Sequence, residues 1–553
     1  RPCRSASARR VTYATYVTSI AELATAWLAA EPDDDVRVEL QALIDGDPEV
    51  LATRFSGRLM FGTAGLRAEV GSGPLRMNRL VVRQAAAGLA DWLLAHVDDA
   101  SQRGVVIGYD ARRKSDLFAL DTAYVLAARG IRSMVFSSVV PTPVLAWSIT
   151  ELGAASGVMV TASHNPPADN GYKVYLDSGA QIVNPIDEEI ATCIADIDPL
   201  SVELAEPDSA LVTMLDDELR QRYLSAVGNV RHAADIEPIR VAYTPLHGVG
   251  GATLVEAFAR CGLGNPEIVE EQFEPDGSFP TVPFPNPEEL GAMDAVIALA
   301  QRAHCDLALA HDPDADRLGV AIPTASGWRR LSGDEIGWLL ADHILSNTEG
   351  DERMVVTTLV SSSLLSVMAA DYGVYAEETF TGFKWIGHTI IEHPDRRFVF
   401  GYEQALGYLV AQRPLDKDGI TAAVVMAEVV ACAASDGATI EGRLESLAER
   451  YGRYVIGERS IKMDPALSSK VVQRLQTEPP TDIGGVAVRT VTEFPETGLL
   501  RIELIDGTRL QVRPSGTEPK IKLYGEVVDG DPAEGLDQLA EVLAEIALRT
   551  LRS

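Results

Sequence analysis

The stretch RVAYTPLHG (Arg240–Gly248) is an apolar, β-branched run that ends in a polar turn, and a helical pattern follows it. VVIGYD (Val105–Asp110) and MVVTTLVSSS (Met354–Ser363) repeat that grammar. A strand that closes in a turn and feeds a helix is the building unit of an α/β fold with a mostly parallel sheet. The copies begin at residues 105, 240 and 354, spacings wide enough for a domain each. No residue-level repeat accompanies them, so the case for three related units rests on the order of elements.

Flanking regions differ in character. Residues 11–58 carry helical spacing, as in IAELATAWLA, and read as an N-terminal helical extension. Ser460–Ser553 holds the short strands GVAVRTV, LLRIELI, RLQVRP and KIKLYGEV and a final amphipathic helix, the pattern of a small α+β domain. Polar Ala205–Ile236 and Arg450–Gly457 read as connections. The expected partition is therefore 1–58, 59–235, 236–327, 328–457 and 458–553. Pro-rich EQFEPDGSFPTVPFPNPEE (Glu271–Glu289) excludes regular structure; its phenylalanines mark a packed loop.

At 553 residues and roughly 150 per domain, three or four domains are expected. A composition 46% hydrophobic and 23% charged is globular. The net charge of −32 lacks the basic footprint that nucleic acid or an anionic membrane requires. It leaves room for a local basic cleft that takes an anionic small molecule. Five scattered cysteines (Cys3, Cys193, Cys261, Cys305, Cys432) without CxxC suit a reducing cytosol rather than a disulfide framework or a zinc site. Gly419–Ser435 is the most apolar run, but it is short and carries Glu428, so it reads as a core helix. RPCRSASARR at the start lacks the apolar stretch of a secretory signal; an artefact of the start is expected, with a transit-like tail as the other reading.

Six motifs carry candidate chemistry. HDPDADR (His311–Arg317) follows the apolar LALA, hence lies at a strand end. Asp312, Asp314 and Asp316 recur at every second residue, and carboxylates packed into one tight loop repel unless a cation sits among them. Oxygen-only ligands select a hard cation, Mg²⁺ before Ca²⁺ or Mn²⁺. The EF-hand reading fails, because Arg317 stands where Gly is needed and Pro323 where Glu is needed. VTASHNPPADNGYKV (Val160–Val174) places Ser163 at a strand-to-loop turn; it lacks the G-x-S-x-G of a serine hydrolase, and a plain polar turn is an equal reading. RPSGTEPK (Arg513–Lys520) gathers Arg513, Ser515, Gly516, Thr517 and Lys520, donors suited to a phosphate dianion. Gly-rich FGTAGLR (Phe61–Arg67) offers Arg67, while the loops TGFKWIG and GYEQALGY carry Lys384, Glu403 and Gln404, groups able to hydrogen-bond a sugar. HGVGGAT (His247–Thr253) imitates a dinucleotide fingerprint, but Thr253 takes the place of the third glycine, which argues against a nicotinamide oxidoreductase.

From GTAGLR to RPSGTEPK, in this order, the set resembles the α-D-phosphohexomutase superfamily. The resemblance implies an α/β fold of four domains around a central cleft, three related α/β mixed-sheet domains and a smaller C-terminal α+β domain. It implies an intramolecular phosphotransferase that interconverts hexose 1-phosphate and hexose 6-phosphate, glucose first and mannose second. The reaction would pass through a phosphoserine at Ser163 and a bisphosphosugar, with Mg²⁺ on Ser163, Asp312, Asp314 and Asp316 and glucose 1,6-bisphosphate as activator. Lys173 resembles a lysine of proton transfer; Arg67 and Arg317 would stabilise the moving phosphoryl group, and His164 would shape the loop rather than act as base. Lys384, Glu403 and Gln404 would meet the sugar, and Arg513, Ser515, Gly516, Thr517 and Lys520 the distal phosphate. The sugar loop departs from the familiar G-E-x-S-G-H: Y-E-Q-A-L-G-Y is one residue longer and puts Ala405 and Tyr408 near its serine and histidine positions. It is similar to the subgroup of bacterial α-phosphoglucomutases and animal phosphopentomutases. A phosphopentomutase on ribose or deoxyribose 1-phosphate, or a bisphosphosugar synthase or phosphatase, are the alternatives; a silent sugar-phosphate-binding protein would not need the intact set. A cytoplasmic monomer or dimer with small phosphosugar partners is expected.

Overall fold

Val105–Ile107 and Val158–Val160 are fully buried apolar runs, which only a sheet covered on both faces accommodates. A computed structural model, describing residues 19–62, 65–233, 236–514 and 520–552, shows that sheet. Its strands are β1 (Leu66–Glu69), β2 (Val105–Tyr109), β3 (Ser133–Phe136), β4 (Ser156–Val160), β5 (Asp169–Leu176) and β6 (Val212–Leu215), in the order β1-β5-β4-β2-β3-β6. β4, β2, β3 and β6 run parallel, whereas β5 is antiparallel to β4 and β1. Helices Ser115–Ala128 and Thr142–Leu152 pack on β2. The second sheet has β7 (Val241–Thr244), β8 (Glu267–Ile268), β9 (Leu307–Ala310), β10 (Gly319–Thr324) and β11 (Gly327–Arg330), ordered β11-β10-β9-β7-β8. β7, β8 and β9 are parallel, and β10 and β11 form a hairpin.

The chain divides into two units, one running through Leu331 and including Leu406–Ala431, the other made of Ser332–Ala405 and the chain from Cys432 onward. Both sheets above belong to the first. N-terminal helices Ile20–Ala30, Asp34–Ile44 and Pro48–Phe55 join it as well. A Ser19–Glu22 capping box starts the first of them. Trp27, Leu40, Leu51 and Phe55 share one core with Val105, Ile107 and Val158, so these helices are integral to it. Helix Gly419–Ser435 confirms the core-helix reading. Its Glu428 is buried because Arg231 meets its carboxylate at 2.9 Å and the His232 N–H donates to it at 2.7 Å. No single helix among the described residues is long and apolar enough to cross a membrane.

In the second unit β12 (Arg353–Thr358) lies between β13 (Tyr375–Thr379) and β14 (Arg397–Glu403), parallel to both. A six-stranded antiparallel sheet follows, ordered Tyr454–Lys462, Lys520–Val528, Arg509–Pro514, Leu499–Leu504, Val486–Phe494 and Asp482–Ile483. Its core closes against helices Pro465–Thr477 and Pro532–Arg552.

Two presumed connections are corrected. Ala205–Ile236 contains edge strand β6 and helix Glu218–Val227, whose Leu219, Tyr223 and Leu224 are buried; a solvated face hid an amphipathic helix. The link at Arg450–Gly457 shrinks to Gly452 and Arg453, between helix Ile440–Tyr451 and the strand that starts at Tyr454. Of Glu271–Glu289 only the first three residues enter a short helix, Glu270–Phe273; the rest is irregular around buried Phe279 and Val282.

Candidate active site

β4 ends at Val160, and Ser163 follows in a turn with φ +52°, a left-handed backbone that a non-glycine residue adopts only where its surroundings impose it. Thr161 Oγ1 accepts the Ser163 N–H at 2.9 Å. The Ser163 hydroxyl donates to Asp312 Oδ2 at 2.7 Å, and His164 Nδ1 lies 3.2 Å from it. β9 ends at Ala310, and the loop beyond it brings one carboxylate oxygen each of Asp312, Asp314 and Asp316 within 4.8 Å of one another, all three side chains buried. Both sequence placements at strand ends therefore hold.

The electrostatics of the triad are uneven. Burial, then the Asp314 and Asp316 carboxylates, push Asp312 well above the usual carboxylate range. Burial opposes charge on Asp314 too, yet Lys173 beside it holds it below that range. Lys173 Nζ donates to Asp314 Oδ2 at 2.7 Å and to Asp316 Oδ2 at 3.1 Å. Burial penalises the Lys173 ammonium, but those carboxylates keep it above the ordinary lysine range. Lys417 Nζ sits 3.3 Å from Asp316, and the Thr142 hydroxyl donates to Asp314 Oδ2 at 2.7 Å. His311 supports the loop from beneath: Tyr243 OH lies 3.0 Å from its Nδ1, its Nε2 3.0 Å from the Gly419 carbonyl, and burial pushes it down to about 4.

Two buried carboxylate oxygens, Asp314 Oδ1 and Asp316 Oδ1, have no hydrogen-bond partner among the described residues. A buried anion without a partner is costly, so the donor set fits a hard cation. Arg67 supplies the opposite character. Its Nη1 donates to Asn165 Oδ1 at 3.0 Å, while Nε is buried with no hydrogen-bond partner among the described residues. Arg67 emerges from β1 because Gly65 takes φ +75° and passes so close to β5 that a Cβ there would sit 1.8 Å from the Tyr172 carbonyl oxygen. Arg317 Nη1 meets Glu288 at 3.0 Å, and its N–H donates to Asp312 Oδ1 at 3.1 Å. Burial and the nearby Arg317 and Arg67 hold His164 well below the ordinary histidine range.

The first unit thus assembles Ser163, His164, Lys173, Arg67, Arg317 and the three aspartates. Lys384, Glu403, Gln404, Arg513 and Lys520 lie in the second. Lys384 is corrected from loop to the first turn of helix Phe383–Glu392, and Glu403 from loop to the last residue of β14. Glu403 Oε1 accepts the Gly382 N–H at 3.0 Å, which ties the two sugar-loop candidates together. Gln404 Oε1 accepts from Ser361 Oγ at 3.0 Å. Arg513 lies near the end of strand Arg509–Pro514 and Lys520 begins its antiparallel partner Lys520–Val528; Ser515, Gly516 and Thr517 fall outside the described residues. Sequence reasoning missed Thr142, the first residue of helix Thr142–Leu152, and Lys417 and Arg112, which reach the site from loops without a motif. The Asp-x-Arg pair after β2, in GYDARRKS, was the available signal for Arg112.

The family described as phosphoglucomutase/phosphomannomutase matches in four parts: its alpha/beta/alpha domains I, II and III at residues 58–201, 221–327 and 332–451, and its C-terminal domain at 469–546. A probable phosphomannomutase of Haemophilus influenzae is 40% identical over 84% of this chain and 96% of its own. A human phosphopentomutase is 32% identical over 94% of each. The crystal structure of a putative phosphomannomutase from Thermus thermophilus superposes with a TM-score of 0.68 at 21% identity, covering 90% of this chain and all of the other.

Proposed function

Because the chain belongs to the phosphoglucomutase/phosphomannomutase family, we propose that it is an intramolecular phosphotransferase interconverting hexose 1-phosphate and hexose 6-phosphate, glucose first and mannose second. The observation that carries this is the placement of the Ser163 hydroxyl 2.7 Å from an aspartate of a buried triad that still has unpartnered oxygens. In this reading the resting enzyme carries a phosphoryl group on Ser163, placed there by glucose 1,6-bisphosphate. Ser163 with Asp312, Asp314 and Asp316 would hold Mg²⁺, which would neutralise charge on that group.

The P–Oγ bond of Ser163 breaks as a sugar hydroxyl oxygen bonds to phosphorus, and Ser163 Oγ ends as a hydroxyl. Lys173, to which the family resemblance assigns proton transfer and which Asp314 and Asp316 hold as the ammonium, would give its proton to that oxygen and be recharged by the one the sugar hydroxyl loses. The bisphosphosugar turns over, and its other phosphoryl group returns to Ser163, so phosphate is neither gained nor lost. Arg67 and Arg317 supply fixed positive charge where charge builds on the moving group. Glu403, with Lys384 and Gln404, orients the sugar, and the Arg513–Lys520 loop holds the distal phosphate at whichever end it lies. Domain limits of 59–235, 236–327, 328–457 and 458–553 suit this division of labour, as does a cytoplasmic monomer or dimer acting on small phosphosugars.

Comparing kcat/KM for glucose 1-phosphate, mannose 1-phosphate and ribose 1-phosphate, with Mg²⁺ and trace glucose 1,6-bisphosphate, tests the reading. Preference for a hexose phosphate supports it. Preference for ribose 1-phosphate keeps the reaction and replaces the sugar. Product formed only with net phosphate transfer from an outside donor makes the protein a bisphosphosugar synthase instead.

A further inference from the structure

Beyond the Glu288–Arg317 ion pair, the Pro-rich segment Glu271–Glu289 also touches the residue on which the Ser163 loop is built. Arg112, buried after β2, spends its guanidinium on four carbonyls of that loop. Nη2 donates to Ser163 O and Asn165 O, each at 2.6 Å, and Nη1 to Pro166 O at 2.8 Å and Asp169 O at 3.1 Å. Asp110 lies 3.3 Å from Nε and neutralises the charge. The guanidinium stands 4.9 Å from the centroid of the Phe279 ring, a favourable face for a cation. Phe279 is brought there by Gly277: a Cβ at that position would lie 2.3 Å from Ala111 O and 2.6 Å from Arg112 Cα.

The segment is fixed at its other end to β7. Thr244 Oγ1 donates to Gln272 Oε1 at 2.7 Å, Gln272 Nε2 donates to Thr281 Oγ1 at 2.9 Å, and His247 Nε2 lies 2.8 Å from the same Thr281 oxygen. Phe279 sits between the two anchors with φ +46°. A chain of contacts therefore runs from the strand end next to the aspartate loop, through the strap, to the loop that holds Ser163.

We propose that Arg112 and Phe279 are positioning residues: the strap seats Phe279 against Arg112, and Arg112 holds the Ser163 loop in the backbone conformation that aims the hydroxyl at the aspartates. The proposal rests on the assignment of Ser163 to phosphoryl transfer. A planar five-donor fork serves four carbonyls where one ammonium does not, and small misplacements of a reacting group cost large factors in rate.

The test uses the full chain with Arg112→Lys and Phe279→Leu, the second keeping apolar volume so that a folded variant is available. Amide hydrogen exchange across residues 160–170 is read beside kcat and KM for glucose 1-phosphate. Exchange in that loop rises about tenfold in both variants, kcat falls about a hundredfold in Arg112→Lys and about tenfold in Phe279→Leu, and KM stays within about twofold. Wild-type exchange in the folded variants overturns the proposal. So does wild-type kcat alongside a loosened loop. If the unaltered protein turns over no phosphosugar, the functional assignment falls, and the exchange result still decides whether Arg112 and Phe279 set the loop.

Discussion

Replacing Gly65 by Ala adds one carbon where the chain has no room for it. At φ +75° the new Cβ would stand 1.8 Å from the Tyr172 carbonyl oxygen, against a floor of 3.0 Å for real Cβ contacts. The neighbour is backbone in the middle of β5, so it cannot swing aside; β1 itself must move by about 1 Å, an overpacking strain of about 1–3 kcal/mol. A left-handed backbone costs a non-glycine residue a further ~1–2 kcal/mol. Together they take about 2–5 kcal/mol from the first unit. The displacement also reaches Arg67, two residues on, and Lys173, the residue after Tyr172, so kcat should fall about a hundredfold. Gly62 lies three residues earlier in the same motif, and a Cβ there meets nothing within 4 Å; Gly62→Ala should change stability by less than about 0.5 kcal/mol. Urea unfolding followed by intrinsic fluorescence, with glucose 1-phosphate turnover, compares the pair. Equal midpoints and equal rates for the two variants would refute the reasoning, since composition and motif are shared and only the local geometry differs.

Ser163→Ala should abolish turnover and leave the thermal midpoint within about 2 °C, because it removes one hydroxyl from a folded turn; scanning calorimetry and the coupled assay read both. One divalent ion per chain should bind by titration calorimetry with Mn²⁺, and Asp316→Asn should weaken it at least about tenfold, whereas retained affinity would separate the triad from metal binding. Asp334 gives a pH prediction. Burial raises it to about 6, against the opposing hydrogen bonds from Ser362 N–H and Tyr402 OH. A folded pKa above the unfolded one means the folded state binds the proton more tightly, so this group's contribution is full below about pH 4 and is lost as pH rises through about 6. Asp334→Asn keeps an oxygen for both donors and should stabilise the protein by up to about 3 kcal/mol at pH 8 with no gain at pH 4, read by urea unfolding at the two pH values.

The parallel strands were legible because buried β-branched runs such as VVIGY leave no other fold open. Loops at their ends were legible for the same reason: a strand that stops at Ala310 or Val160 delivers whatever follows to the carboxyl edge of a sheet. What escaped was structure with a solvated face. β6 has the burial pattern of an edge strand and helix Glu218–Val227 buries one side only, so their polar sequences read as linker. Strand Tyr454–Lys462, half-buried at best, was hidden likewise. The sugar loops were found as sequences but misplaced as structures. Gly382 at φ +109° starts a helix, and a glycine that permits a turn looks the same in sequence whether a loop or a helix follows.

The site divides along the same line. Groups that act on a ligand sit in short, residue-dense motifs, since one loop must deliver several of them to one point. Those that position them answer to partners far away in the chain. Arg112 serves carbonyls fifty-odd positions on, and a carbonyl carries no residue identity; nothing in ASHNPPAD says that an arginine must come. Lys417 faces Asp316 from the loop before the core helix, where the sequence shows only charge. The dinucleotide-like HGVGGAT was a decoy for a related reason. Its His247 and glycines serve packing: His247 anchors Thr281, and a Cβ at Gly248 would meet Pro313 of the aspartate loop at 2.5 Å. Glycine there records the closeness of two loops rather than of a backbone to a pyrophosphate. Local spacing therefore finds the reacting groups, and only the fold shows that the β7 turn is braced against the loops that carry them.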